Sequence, residues 1–202
     1  MNRIIIVIVA LIAVVGLFLM FGGDKEGVKE ENVKMPELAE GMDPENTLIL
    51  ELSTGGPVVI QMFPEIAPNH VARFKELTRE GYYDGVVFHR VIDGFMAQTG
   101  DPTGTGSGGS GQNIKAEFND MHHDRGVVST ARAGHPDSAD SQFFMMLAPS
   151  PHLDGQYTAW GKIVEGMDFV DAITKGPSHM NGSVPEEDRD RIVSMKVAAD
   201  VK

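Results

Sequence analysis

The sequence predicts a mainly β fold, a closed antiparallel β-barrel capped by two α-helices. Three observations carry this reading. Short apolar runs rich in Val, Ile, Leu and Phe recur along the chain and are too brief for helices. Turn formers punctuate them, with 23 glycines and 11 prolines among 202 residues, so the connections are short. Only two stretches space their apolar residues at helical intervals, and no internal repeat is present.

The elements follow in order. Thr47 to Leu52 and Val58 to Phe63, joined by Thr54-Gly55-Gly56, make a β-hairpin. A helix then begins with Pro68 in its first turn, where a missing N–H does no harm. Val71, Phe74 and Leu77 form its apolar stripe, Arg73, Lys75 and Arg79 face away, and Gly81 ends it. Phe88 to Ile92 and Phe95 to Gln98 read as strands on either side of a bend at Gly94. Val127 to Ala131, Gln142 to Leu147 and Tyr157 to Val164 are further strands. Met167, Val170 and Ile173 mark a short helix closed by Gly176-Pro177, and Arg191 to Val197 is the closing strand.

A different kind of chain precedes this fold. Met1-Asn2-Arg3 is a short positive start, and Ile4 to Phe21 holds no polar or charged side chain. At about 1.5 Å per residue a helix over that run spans about 27 Å, close to the hydrocarbon core of a bilayer. A signal peptide has a shorter apolar region that ends at small residues. Here the run ends in Leu17-Phe18-Leu19-Met20-Phe21, so residues 1–22 read as a transmembrane anchor, with secretion after cleavage as the alternative. Arg3 holds the N-terminus in the cytoplasm and sends the rest outward, to the periplasm or cell surface. Residues 23–46, acidic and poor in large apolar groups, read as a disordered tether. Residues 47–202 are the folded domain.

The formal net charge of −12 repels phosphate backbones, which argues against a nucleic-acid partner. Without cysteine there is no disulfide framework, thiolate nucleophile or thiolate metal site. His122 and His123 are adjacent, but neighbours on a strand face opposite ways and on a loop usually meet only water, so no metal site is read there. Ser129, His89 and Asp93 are hydrolase residue types, yet no G-x-S-x-G elbow exists and nothing in the sequence brings them together. Gly104-Thr105-Gly106-Ser107-Gly108-Gly109 fits G-x-G-x-x-G, but no helix opens after it, which argues against a dinucleotide. The glycines suit close backbone approach to an extended peptide instead.

Chemistry concentrates in Val87-Phe88-His89-Arg90-Val91-Ile92-Asp93-Gly94-Phe95-Met96-Ala97-Gln98-Thr99-Gly100-Asp101. Arg90 is a permanent cation on an apolar strand, costly unless it has a partner, such as Asp93, or a task. This stretch resembles the signature of the cyclophilin family of peptidyl-prolyl cis–trans isomerases. Ser129-Thr130-Ala131-Arg132-Ala133 with Ser141-Gln142-Phe143-Phe144 is similar to the family's second block, and Leu153-Asp154-Gly155-Gln156-Tyr157 to Trp160-Gly161 to its third. The blocks stand in the family's order, and the resemblance covers residues 47–197. It implies an eight-stranded barrel, X–Pro isomerisation and no cofactor.

The resemblance also implies roles. Arg90 is the catalytic residue; Phe95, Met96, Phe144 and Leu153 line a proline pocket; Gln98 bonds the substrate backbone. Ala131 and Arg132 wall the peptide with Gln142 nearby, and His89 neighbours the cation. His152 stands where the family often has Trp, Tyr157 where it has His, and Arg132 where Asn is common. The first departure implies weak binding of the macrocycle cyclosporin. The partners implied are proline-containing segments of folding or exported proteins. A non-catalytic, membrane-tethered proline-peptide-binding module or chaperone is the alternative that sequence leaves open.

Overall fold

The alternation of the first strand places the core. In β1 (Thr47–Leu52), Leu48, Leu50 and Leu52 are buried, and in β2 (Gly56–Met62) so are Val58, Ile60 and Met62. β1 pairs with β2 antiparallel, with Leu50 opposite Val58, so both sets point to one face of the pleat. The structure, a computed structural model, describes residue 36 and residues 38–201. The apolar run from Ile4 to Phe21 and most of the acidic stretch lie outside the described residues. Among the described residues no helix is long and apolar enough to cross a membrane.

The remaining elements are α1 (Pro68–Arg79), β3 (Arg90–Ile92), β4 (Met96–Thr99), β5 (Val127–Thr130), β6 (Phe143–Met146), β7 (Ala159–Glu165), α2 (Met167–Asp171) and β8 (Ile192–Val197). Eight strands form one sheet in the order β3-β4-β6-β5-β7-β2-β1-β8, every ladder antiparallel. The barrel is not closed: the sheet is a curled half-barrel with β3 and β8 at its ends. Between those ends run single bridges, Val87 to Arg191 and Arg90 to Ser183, and isolated bonds such as Phe88 N–H to Asp190 O at 2.8 Å. The chain facing β3 cannot ladder, because it turns in short 3₁₀ segments at Ser178–Met180 and Glu186–Asp188 and Pro185 lacks a donor.

α1 packs into the half-barrel. Phe74 stacks on Trp160, centroids 4.2 Å apart, and meets Phe143 edge-on at 5.6 Å. The Ala67 cap of α1 makes no side-chain bond. Glu117 serves in its place, accepting from the main-chain N–H of Asn69 and His70 and lying 2.7 Å from His70 Nδ1, which satisfies donors a helix start leaves open. Arg73, expected to face away, is half-buried and donates to Ser110 as well as Glu76. The end of the acidic stretch is ordered: Asp43 caps a 3₁₀ turn over Pro44–Asn46, and Glu45 pairs with Lys75 and Arg79. An acidic side chain beside two α1 cations gains what an isolated tether lacks.

Candidate active site

The outer face of β3, β4, β6 and β5 carries a row set by register. Arg90 stands opposite Gln98, Gln98 opposite Phe144, and Phe144 opposite Ser129. The neighbouring row is Ile92, Met96 and Met146. Val91, Ala97, Phe143 and Met145 point the other way, into the core. The alternation that fills the core therefore also aligns one cation, one amide and one aromatic ring across three strands.

Around this row lies a cavity of about 630 Å³. Its wall includes His89, Arg90, Phe95, Met96, Gln98, Ala131, Arg132, Phe144, His152, Leu153 and Tyr157, so eleven of the twelve residues singled out in the sequence come together. Gln142, the twelfth, lines an adjoining groove of about 480 Å³ that shares Gln98, Ala131 and Arg132 with the first. Met96, Phe144 and Leu153 form a buried apolar cluster with Phe95 and Tyr157 against it. Tyr157 meets Phe144 edge-on at 5.7 Å, His152 lies 5.7 Å from the Phe95 ring, and Arg132 stacks 4.7 Å over Tyr157.

Arg90 has no carboxylate partner among the described residues; Asp93, the partner weighed from sequence, sits exposed in the β3–β4 turn. Its Nε donates to Asn181 O at 3.0 Å, Nη2 to Asn181 Oδ1 at 3.1 Å and Nη1 to Gln98 Oε1 at 3.2 Å. Gln98 passes the order on, its Nε2 donating to Gln142 Oε1 at 2.9 Å, and Gln142 Nε2 donates to the carbonyls of Gly106 and Gly108. Burial lowers the Arg90 pKa from the ordinary arginine value. It lowers that of His89 too, with Asp101 opposing and Arg189 and Arg90 reinforcing the shift.

The glycine-rich loop closes on two carboxylates, its own Asp101 and Asp140 from a neighbouring loop, while Gly106, Gly108 and Gly109 line the adjoining groove. Asp101 is fully buried and accepts from Thr103, Thr105 and the main-chain N–H of Gly106 and Gly108. A Cβ on Gly108 would fall 2.1 Å from Asp101 Oδ1, and one on Gly109 2.5 Å from Asp140 Oδ2. Both histidines sit on a loop as read, and His122 is exposed, but neither meets water alone: both rings meet Asp154, at 2.8 Å for His122 and 2.9 Å for His123. His123 is buried, its Nε2 lies 2.9 Å from Ser129 Oγ, and its ring stacks on Phe144 at 6.3 Å. Ser129 thus meets His123, not His89, and is itself sealed from solvent, which bars it as a nucleophile.

A family model for cyclophilin type peptidyl-prolyl cis-trans isomerases matches residues 47–197. The chain belongs to the cyclophilin family. It is 47% identical over 178 residues to a probable peptidyl-prolyl cis-trans isomerase of Brucella suis, covering 82% of this chain and 89% of that one. It is 45% identical over 127 residues to peptidyl-prolyl cis-trans isomerase B of Bacillus subtilis, covering 62% of this chain and 88% of that one. Among solved structures it resembles the cyclophilin AquaCyp293 of Hirschia baltica, with a TM-score of 0.70, 32% identity, and coverage of 80% of this chain and 77% of that one. A Cryptosporidium parvum cyclophilin type isomerase, solved in the presence of the dipeptide Ala-Pro, matches with a TM-score of 0.68 and 29% identity over 75% of this chain and 98% of that one. This cyclophilin is accordingly an isomerase of peptidyl-prolyl bonds.

Sequence reasoning missed one wall of the cyclophilin cavity. Met180, Asn181, Ser183 and Arg189 come from the irregular segment that faces β3. The signal available was Asn181-Gly182, a pair suited to left-handed backbone, and indeed Asn181 has φ 52.

Proposed function

We propose that Arg90 accelerates X–Pro isomerisation by stabilising the twisted amide, and that the apolar cluster beside it receives the proline ring. The barrier, roughly 18–20 kcal/mol, comes from amide resonance. Its removal calls for no nucleophile and no metal. As the C–N bond twists, the prolyl nitrogen becomes pyramidal and basic, and a donor aimed at it binds the transition state better than the ground state.

The observation that carries this reading is the unused part of the guanidinium. Of its five N–H groups, three are bonded to Asn181 and Gln98, leaving one on each terminal nitrogen of a side chain that lines the same cavity as Phe95, Met96 and Phe144. In this reading Gln98 and Gln142 bond the peptide backbone and Ala131 and Arg132 flank it, supported by their lining of the two adjoining cavities. The Ala-Pro dipeptide named for the Cryptosporidium relative supports proline-containing peptides as the ligand class. Exchange between cis and trans X–Pro peptide, followed by NMR, tests this: Arg90→Ala should lose at least about a hundredfold in kcat/KM. Full activity in that variant would make the arginine structural.

For placement, the support is the sequence alone. The unbroken apolar run from Ile4 to Phe21 behind Arg3 suits an anchor with the isomerase domain outside the cytoplasm, acting on folding or exported proteins. Resistance of the full chain to carbonate extraction tests it, and a mature N-terminus near Gly23 would favour secretion.

A further inference from the structure

We infer that this isomerase prefers proline segments carrying an acidic side chain within a few residues of the X–Pro bond, read by Arg132 and Arg189. The inference rests on the cavity being the X–Pro site. In a chain with 29 acidic and 17 basic residues, the cavity wall contains Arg90, Arg132 and Arg189 and no Asp or Glu. Elsewhere the arginines are paired: Arg73 with Glu76, Arg79 with Glu45 and Asp200, Arg125 with Asp171. The three at the cavity have no carboxylate within 4.0 Å among the described residues. Among the other described arginines, Arg191 alone, exposed and not part of the wall, shares that condition.

These side chains are held in place, by main-chain oxygens and an aromatic face. Arg132 Nε donates to Gln156 O at 3.1 Å and Nη1 to Ala133 O at 3.0 Å, while the guanidinium lies over Tyr157. Its Nη2 has no partner among the described residues. Arg189 Nε donates to Val184 O at 2.9 Å, leaving both its terminal nitrogens without one. All three arginines are half-buried, so their donors are fixed beforehand and less screened than a surface lysine would be. Neutral neighbours such as Tyr157 and Gln156 do not balance them. The acidic groups nearby are otherwise engaged or turned away. Asp101 is enclosed by its loop, Asp140 lines the adjoining groove but there accepts from Ser110 and Gly111, and Glu186, Glu187 and Asp188 are exposed outside the wall. A substrate carboxylate would supply the missing fork-to-carboxylate pair. Arg132 lies on the seam between the two cavities, so a bound strand passes it within a few residues of the proline, at about 3.3–3.6 Å per residue.

The test is cis–trans exchange by NMR on end-capped peptides that differ at one residue, Glu, Gln or Lys, placed either two before or one after the proline. At low salt the purified domain should exchange the Glu peptide faster than the Gln peptide by roughly three- to tenfold in one placement, with Lys slowest. Raising salt to about 1 M, where the Debye length is about 3 Å, should bring the ratio towards one. Arg132→Gln and Arg189→Gln should each shrink the Glu-to-Gln ratio, and Arg132→Lys should keep part of it. Equal Glu and Gln rates in both placements, with exchange still catalysed, would overturn the preference and leave the isomerase reading standing. A ratio unmoved by either glutamine variant would overturn the assignment to these arginines. Absence of catalysis on every peptide would overturn the site reading itself and the preference with it.

Discussion

Asn181 holds the Arg90 guanidinium twice, accepting from Nε through its main-chain oxygen at 3.0 Å and from Nη2 through Oδ1 at 3.1 Å. Among the described residues it is the one non-glycine with positive φ. A left-handed backbone costs roughly 1–2 kcal/mol for most residues and less for Asn, whose short side chain bonds locally. That conformation presents both oxygens to one cation, so the residue type and the backbone serve the same end.

Asn181→Gly keeps the left-handed turn and the main-chain acceptor but removes Oδ1. The guanidinium then retains two of its three tethers, and we expect kcat to fall about tenfold, with the thermal midpoint within a few degrees of the parent. Asn181→Ala should lose stability as well, by about 1 kcal/mol, from the strained backbone. A glycine variant with parental kcat would show that Gln98 alone orients Arg90.

Arg90→Lys should be nearly as inactive as Arg90→Ala. An ammonium on a flexible stem cannot bond Asn181 and Gln98 and still offer two directed donors to the substrate. Stability should change by less than about 1.5 kcal/mol, since Asn181 is exposed and Gln98 half-buried and water can replace the cation. Chemical denaturation beside the exchange assay separates the two effects; recovery of most activity by lysine would contradict the forked-donor mechanism.

Asp101 gives the pH prediction. Burial opposes its ionisation, but bonds from Thr103, Gly108 and Gly106 outweigh that and bring its pKa down to about 2. The folded value lies below the unfolded one, near about 3.9. Its stabilisation, roughly 2 kcal/mol, is therefore complete above the unfolded pKa and fades as pH falls from about 4 to about 2. Asp101→Asn should destabilise the domain by about 2–4 kcal/mol at pH 7, because the amide cannot accept from every donor around it. The gap between variant and parent in urea midpoint should narrow by pH 2.5. A gap that does not change with pH would mean the loop, not the charge, is responsible.

Much of this was legible in the chain, for identifiable reasons. Leu48, Leu50 and Leu52 declare a strand because residues joining the main core recur at every second position, and Val71, Phe74 and Leu77 declare a helix by recurring at every third. Arg90, Gln98 and Phe144 could be grouped because their blocks resemble a family; local pattern alone gives no register, and the row across β3, β4 and β6 is a property of pairing. What stayed hidden depends on contacts distant in sequence. Glu117 caps α1 from 47 or more residues away, Asp154 gathers His122 and His123, and Asn181 reaches Arg90 across 91 residues. Barrel closure was over-read because Arg191 to Val197 looks like any edge-sealing strand, whereas β3 is faced instead by the segment just before it, broken by Pro185 and 3₁₀ turns.

The last prediction concerns His152. It occupies a 3₁₀ turn over Pro151–Leu153, exposed at the cavity rim, with its ring 5.7 Å from Phe95 and tilted by 33°. Where the family often carries Trp, an indole offers cyclosporin an N–H and a broad apolar face. Imidazole covers less: at about 25 cal/mol per Å², several tens of Å² of lost contact weaken binding by about 1–2 kcal/mol. A short X–Pro substrate depends instead on Arg90 and the apolar floor of Met96, Phe144 and Leu153, so its turnover should be little affected. We therefore expect an active isomerase inhibited only weakly by cyclosporin. His152→Trp should tighten inhibition by roughly five- to thirtyfold, as that energy implies, while kcat/KM for a short peptide stays within about twofold. The turn should accept the larger ring, because the side chain faces solvent and only its main-chain oxygen is engaged, by Gln156 Nε2 at 2.8 Å. Inhibition titrations on parent and variant decide it: tight binding by the parent, or no gain from tryptophan, would show that position 152 does not govern the inhibitor.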